Sequence, residues 1–139
     1  MTKEQQVIEP LAKFHVPVIS KFRVVIPEGE KELFGLSKGI YIEIIIRKID
    51  RSNFKPLKRV HTLVKLTSRG MFTLNKRIRQ ELEIEIRDIL EILLVNYYTI
   101  EDLVKDEYKQ LLNFVENGFN VIDEHQEREI LNTHVKRVD

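Results

Sequence analysis

The residues best suited to chemistry in this sequence are cations. Lys76, Arg77 and Arg79 fall close together, with Arg69 shortly before them. Arg47-Lys48, Arg51, Lys55, Lys58-Arg59 and Lys65 extend the basic run. Such groups neutralise phosphates and release counterions, and a guanidinium can bond a guanine edge through two hydrogen bonds. The chain carries a net charge of only +1, but residues 1–79 hold 17 Lys/Arg against 7 Asp/Glu, whereas residues 80–139 hold 6 against 15. A basic half joined to an acidic half is the footprint expected of a nucleic-acid-binding surface with an acidic extension.

Other chemistries find less support. There is no cysteine, which excludes disulfides, thiolate nucleophiles and Cys-based zinc sites. His15, His61, His125 and His134 show no metal-binding spacing and read as solvated surface histidines, although His125 and His134 could share a helix face. There is no glycine-rich phosphate loop, no nucleophile elbow and no HExxH motif, so no catalytic constellation and no cofactor is expected. The start, Met1 to Gln6, is polar and lacks the apolar core of a secretory signal. No stretch approaches the roughly 20 apolar residues that span a bilayer. The expected protein is cytoplasmic and not an enzyme.

The elements that would position the cations follow from the apolar pattern. Phe14 to Ile19 reads as a strand, Ser20-Lys21 as a turn and Phe22 to Ile26 as a strand stopped by Pro27. Glu28 to Leu36 is a short helix with acids in its first turn, and Ile40 to Ile49 is a strong strand. Residues 50–59 read as a linker. The order then repeats: strand Val60 to Leu66, turn Thr67 to Gly70, strand Met71 to Leu74, helix Asn75 to Leu82 and strand Asp88 to Tyr97. In the tail, Thr99 to Asp102 has the form of a capping box. Ile100, Leu103, Val104, Tyr108, Leu111, Leu112 and Val115 then recur at helical spacing toward Gly118. Val121 to Val138 reads as a second, mostly polar helix with too little apolar surface to order without a partner.

A shift of 48 residues superposes the two halves without a gap: Ser20-Lys21 falls on Ser68-Arg69, Val24 to Pro27 on Phe72 to Asn75, and Ile42, Ile44 and Ile46 on Leu90, Ile92 and Leu94. Arg23-Val24-Val25-Ile26-Pro27, then Leu33, Gly35-Leu36 and Gly39, resembles the AbrB/SpoVT (swapped-hairpin) family pattern. The second copy resembles it through Gly70, Phe72 to Leu74, Ile78-Arg79, Leu82, Ile84 and Asp88. The copy-one sequence departs at Phe22, where glycine is usual. Copy two departs at Met71 and Asn75, where arginine and proline are usual.

The resemblance implies an α+β, mainly β fold: a swapped-hairpin barrel of two tandem β-hairpin–helix–β repeats, closed within one chain as a pseudo-dimer, with C-terminal helices. The expected organisation is an N-terminal arm (1–13), a first repeat (14–49), the linker (50–59), a second repeat (60–97) and an acidic helical extension (98–139). By position, the family's DNA-facing role carries over to Arg23, Lys31 and Arg79. With the basic turns and helix, the candidate set is Lys21, Arg23, Lys31, Lys65, Arg69, Lys76, Arg77 and Arg79. Glu28, Glu30 and Glu32 make the first helix acidic, so DNA binding dominated by the second copy is expected. The expected function is duplex-DNA binding by a transcriptional regulator or nucleoid-associated factor. The rival is an antitoxin-like interaction protein whose acidic tail binds a partner protein. The tail either caps its own barrel or pairs with a second copy to form a homodimer.

Overall fold

A computed structural model describes residues 9–115 and 118–135. Most of the expected arm 1–13, and residues 116–117 and 136–139 of the expected extension, lie outside the described residues. The chain runs β1 (Ala12–Pro17), β2 (Arg23–Val25), α1 (Glu28–Phe34), β3 (Tyr41–Ile49), β4 (Pro56–Lys65), β5 (Met71–Thr73), α2 (Lys76–Glu81) and β6 (Ile89–Tyr98). The tail adds α3 (Ile100–Leu103), a 3-10 segment (Asp106–Phe114), β7 (Phe119–Ile122) and α4 (Glu124–His134). The fold is α+β with strands predominating. β4 begins at Pro56, inside the expected linker, because its first residues pair with the end of β3.

The repeat is visible in the backbone itself. Left-handed conformations occur at Phe22, Gly35 and Gly39, and again 48 residues on at Gly70, Glu83 and Arg87. Glycine adopts φ > 0 without a Cβ clash. Each copy therefore supplies glycine at some of these bends and holds a side-chain-bearing residue at the others. Gly35 closes α1 in this way, while Asn75 caps α2 by accepting a hydrogen bond from the Ile78 amide.

Every strand pairing between the repeats joins one copy to the other. β2 pairs with β5 about a central Val24–Phe72 pair. β1 pairs with β6 and β4 with β3, in equivalent registers: Ala12 faces Leu94, and its repeat mate Val60 faces Ile46. β3 and β6 pair with each other at the centre. The result is a five-stranded antiparallel sheet, β1-β6-β3-β4-β7, and a separate two-stranded ribbon, β2-β5.

The expected closed barrel is not formed among the described residues, where both sheets are open. The ribbon strands are three residues each, and they turn Val24 and Phe72 face-on into the core instead of extending the large sheet edge to edge. One face of the large sheet supplies Ile42, Ile44, Ile46, Leu90, Ile92 and Leu94 to the core it shares with the ribbon and helices. These buried aliphatic side chains contribute roughly 1.5–3 kcal/mol each.

The other face carries the tail. Leu103, Leu111 and Phe114 pack on Tyr41, Leu63 and Tyr98. Ile122 and Leu131 pack on Ile45, Leu93 and Val95. The tail departs from its expected form in two places. The single helix after Thr99 is α3, with the expected Thr99/Asp102 capping box, followed by the 3-10 segment. The second helix is instead β7, added to the edge of β4, and α4, started by an Asp123/Gln126 capping box. The order of this polar segment comes from its own chain's sheet.

Candidate nucleic-acid interface

The ribbon presents Arg23 and Thr73, then Val25 and Met71, as cross-strand pairs on its outer side, with Val24 and Phe72 buried beneath. Two basic side chains reach this region from the helices, each crossing to the other copy. Lys31 of α1 donates from Nζ to the carbonyl of Arg69 at 3.3 Å, and its stem lies against Gly70. Arg79 of α2, the repeat mate of Lys31, stacks its guanidinium 4.2 Å from the Phe22 ring centroid. Phe22 is the repeat mate of Gly70, so one geometry is built twice with different side chains. The bends also carry Lys21 and Arg69, themselves repeat mates and both exposed.

The neighbouring groups leave this cation set largely unneutralised. Arg23 bonds only locally, to the carbonyl and hydroxyl of Ser20 at 3.1 Å each. Lys31 has an ion pair with exposed Glu28 at 3.0 Å. Among the described residues, no carboxylate lies within ion-pair distance of Lys21, Arg23, Arg69, Lys76, Arg77 or Arg79. The Arg79 Nε is buried and has no hydrogen-bond partner there, and a group left so costs roughly 1–3 kcal/mol until something bonds it.

Two of the eight candidates point elsewhere. Lys65 lies over the Tyr41 ring, on the tail side of the large sheet. Arg77 lies over Phe119 of β7, so Lys76, Arg77 and Arg79 do not make one face. Lys76 is exposed at the start of α2. Lys21, Arg23, Lys31, Arg69 and Arg79 draw on both copies.

Four cations of the remaining basic run, Arg47, Arg51, Lys58 and Arg59, are ion-paired. Arg47 Nη2 contacts Glu127 at 2.6 Å and Nη1 contacts Glu91 at 2.5 Å, and Arg59 Nε reaches Glu127 at 3.2 Å. Burial opposes the Arg47 charge, but its bonds to Glu127 and Glu91 outweigh burial and raise its pKa further. Burial likewise pushes the Glu91 carboxyl up, and Arg47 more than reverses this, leaving it below the usual value. Arg51 pairs with Asp88 and Lys58 with Glu81. From the acidic tail, Glu127 neutralises Arg47 and Arg59 of the large sheet, while among the described residues the ribbon cations other than Lys31 have no carboxylate partner.

A second cluster is invisible in the sequence spacing. Glu43 on β3 is completely buried. Its Oε2 lies 2.7 Å from His61 Nε2 on β4 and 2.5 Å from His134 Nδ1 on α4, while its Oε1 accepts the Tyr98 hydroxyl of β6 at 2.7 Å. Burial pushes the Glu43 carboxyl up, but the two imidazoles outweigh it and bring it down to about 2. The hydrogen bond to Glu43 raises the His134 pKa against the effect of burial, and burial followed by the Glu43 charge raises that of Tyr98. The ligand-type atoms of Glu43, His61 and His134 all lie within 4.8 Å of one another. His61 is buried and His134 half-buried, where solvated surface histidines were expected. The available signal was an ionisable residue, Glu43, inside the otherwise apolar run Tyr41 to Ile46.

No helix among the described residues is long and apolar enough to cross a membrane. No family profile matches the chain, and no curated protein matches it. Among solved structures, the solution structure of PHS018 from Pyrococcus horikoshii is similar to it. The TM-score is 0.58 at 28% identity, over 66% of this chain and 96% of that one.

Proposed function

We propose that this chain is a cytoplasmic, non-enzymatic duplex-DNA-binding protein of the swapped-hairpin (AbrB-like) type, acting as a transcriptional regulator or nucleoid-associated factor. The observation that carries the reading is the set of cations around the β2–β5 ribbon. Lys21 and Arg69, and Lys31 and Arg79, are repeat mates on an approximate two-fold, and carboxylates cancel little of their charge. A two-stranded ribbon fits the width of a major groove, and flanking cations then meet the phosphates on either side. The pairing of every repeat strand with the other copy supports the swapped-hairpin description. The antitoxin-like alternative requires a tail free to engage a partner. Commitment of Glu127 to Arg47 and Arg59 argues against it.

The test is fluorescence anisotropy of a labelled duplex titrated with protein at several salt concentrations. The wild-type affinity should fall steeply with salt. Lys21→Gln with Arg69→Gln, and Arg23→Gln, should each weaken binding and flatten the log–log salt slope by about 0.9 for each phosphate no longer neutralised. Arg128→Gln, on α4 over the opposite face of the large sheet, should bind as wild type does. Salt-independent affinity, or ribbon variants indistinguishable from wild type, would refute the proposal.

A further inference from the structure

The Glu43, His61 and His134 cluster has no part in the ribbon surface, and its composition suggests a different role. We infer that these three side chains form a binding site for a divalent transition metal of the zinc class, one that fastens α4 to the large sheet. Two imidazoles and one carboxylate are the donor set that zinc accepts, with three protein ligands and a further coordination position left open. Donor placement fits. His61 Nε2 and His134 Nδ1 approach the same Glu43 oxygen from different elements, at 2.7 and 2.5 Å.

An ion about 2.0–2.2 Å from each donor holds them somewhat further apart than hydrogen bonds do. The cluster must open by under about 1 Å to admit it. Glu43 and His61 sit on central paired strands and hold their places. His134 ends α4 and is half-buried, so it is the ligand able to give way. The supporting shell is present as well. The Tyr98 hydroxyl fixes the second Glu43 oxygen at 2.7 Å, and the Phe114 ring packs edge-on to His61 at 5.1 Å between centroids. Such groups orient ligands and tune their affinity.

Access is supplied by a groove of about 950 Å³ that both histidines line, together with Arg77, Gln110 and Asn113. Both imidazoles are thus reachable by water and ions through this groove. Glu43 supplies a fully buried carboxylate donor whose bonded neighbours are two imidazoles and a phenol.

The experiment is calorimetric titration of the untagged full chain with zinc chloride, paired with the visible spectrum of the Co²⁺ form and a melting curve with and without metal. The expected result is one ion per chain, a cobalt spectrum of low-coordinate type and a raised Tm. His134→Ala removes an exposed-edge ligand without hollowing the core, and should weaken binding about tenfold or more while retaining the wild-type circular dichroism. His61→Gln should do the same, whereas His125→Ala, on the outer side of α4, should leave affinity unchanged. No saturable binding by wild type would overturn the inference. So would equal affinity in a folded His134→Ala protein, or loss of binding in His125→Ala alone.

Discussion

Replacing Glu83 and Arg87 by glycine should stabilise the protein. Both residues hold left-handed backbone, φ 51° and 80°, where their repeat mates Gly35 and Gly39 hold φ 64° and 91°. An L-residue in that region is strained by about 1–2 kcal/mol, from which glycine's greater freedom in the unfolded chain removes roughly 0.5–1 kcal/mol. The side chains contribute little to set against this. Both are exposed, and neither side chain makes a hydrogen bond or ion pair among the described residues. The backbone bonds survive substitution: Glu83 accepts Lys48 Nζ at 2.6 Å through its carbonyl, and the Arg87 amide donates to Val18 at 2.7 Å. The net gain should be about 0.5 kcal/mol per site, and about 1 kcal/mol for Glu83→Gly/Arg87→Gly together, or some 3–4 °C in Tm for a chain of this length. Urea denaturation of the double variant reads the gain directly. The mirror experiment, Gly35→Ala, should cost a similar amount, about 0.5–1 kcal/mol, since alanine there takes on the left-handed strain that glycine avoids. A less stable glycine double variant, or a neutral Gly35→Ala, would refute the idea that the repeat imposes these angles.

Two further outcomes follow from the network that holds α4. Glu127→Ala leaves Arg59 without its counter-charge and Arg47 with Glu91 alone, both arginines being under a fifth exposed. It should cost about 3 kcal/mol in urea denaturation, at the low end for a buried pair, whereas a loss under about 1 kcal/mol would rank the contact with surface bridges. Glu91 governs part of the acid limb of the stability profile. Its folded pKa lies below the ordinary 4.5, so its contribution is present above that value and is lost as pH falls through the depressed one. Glu91→Gln should be less stable than wild type near neutral pH, and the two should converge in acid. Parallel profiles would assign the acid sensitivity elsewhere.

Much of the architecture was legible because it rests on local pattern. The alternating apolar residues of Tyr41–Ile49 and Ile89–Tyr98, and the 48-residue shift between them, identify strands and repeat directly. The tail was misread where two periods compete. Tyr108, Leu111 and Phe114, spaced by three, form the packed face, and that is a 3-10 spacing. Leu112 and Val115, which complete the α-helical pattern, are exposed. Phe119–Ile122 is too short for periodicity to mark as a strand, and the free edge of β4 gives it that form. The candidate sites show the same limit. Lys21, Arg23 and Arg69 could be named from their turns, but the fate of Lys65 depends on which face of β4 it occupies. The Glu43 cluster joins residues 18 and 91 positions apart, and only the strand register and the return of α4 bring them together.

Protein synthesis proceeds from one end, and the crossed pairing makes that direction matter. β1 finds its sheet partner in β6, which ends at Tyr98. On the ribosome, Phe14, Val16 and Val18 therefore wait, uncovered, until most of the chain has emerged. No length short of β6 completes these pairings, and the waiting strands must be kept from pairing with those of neighbouring nascent chains.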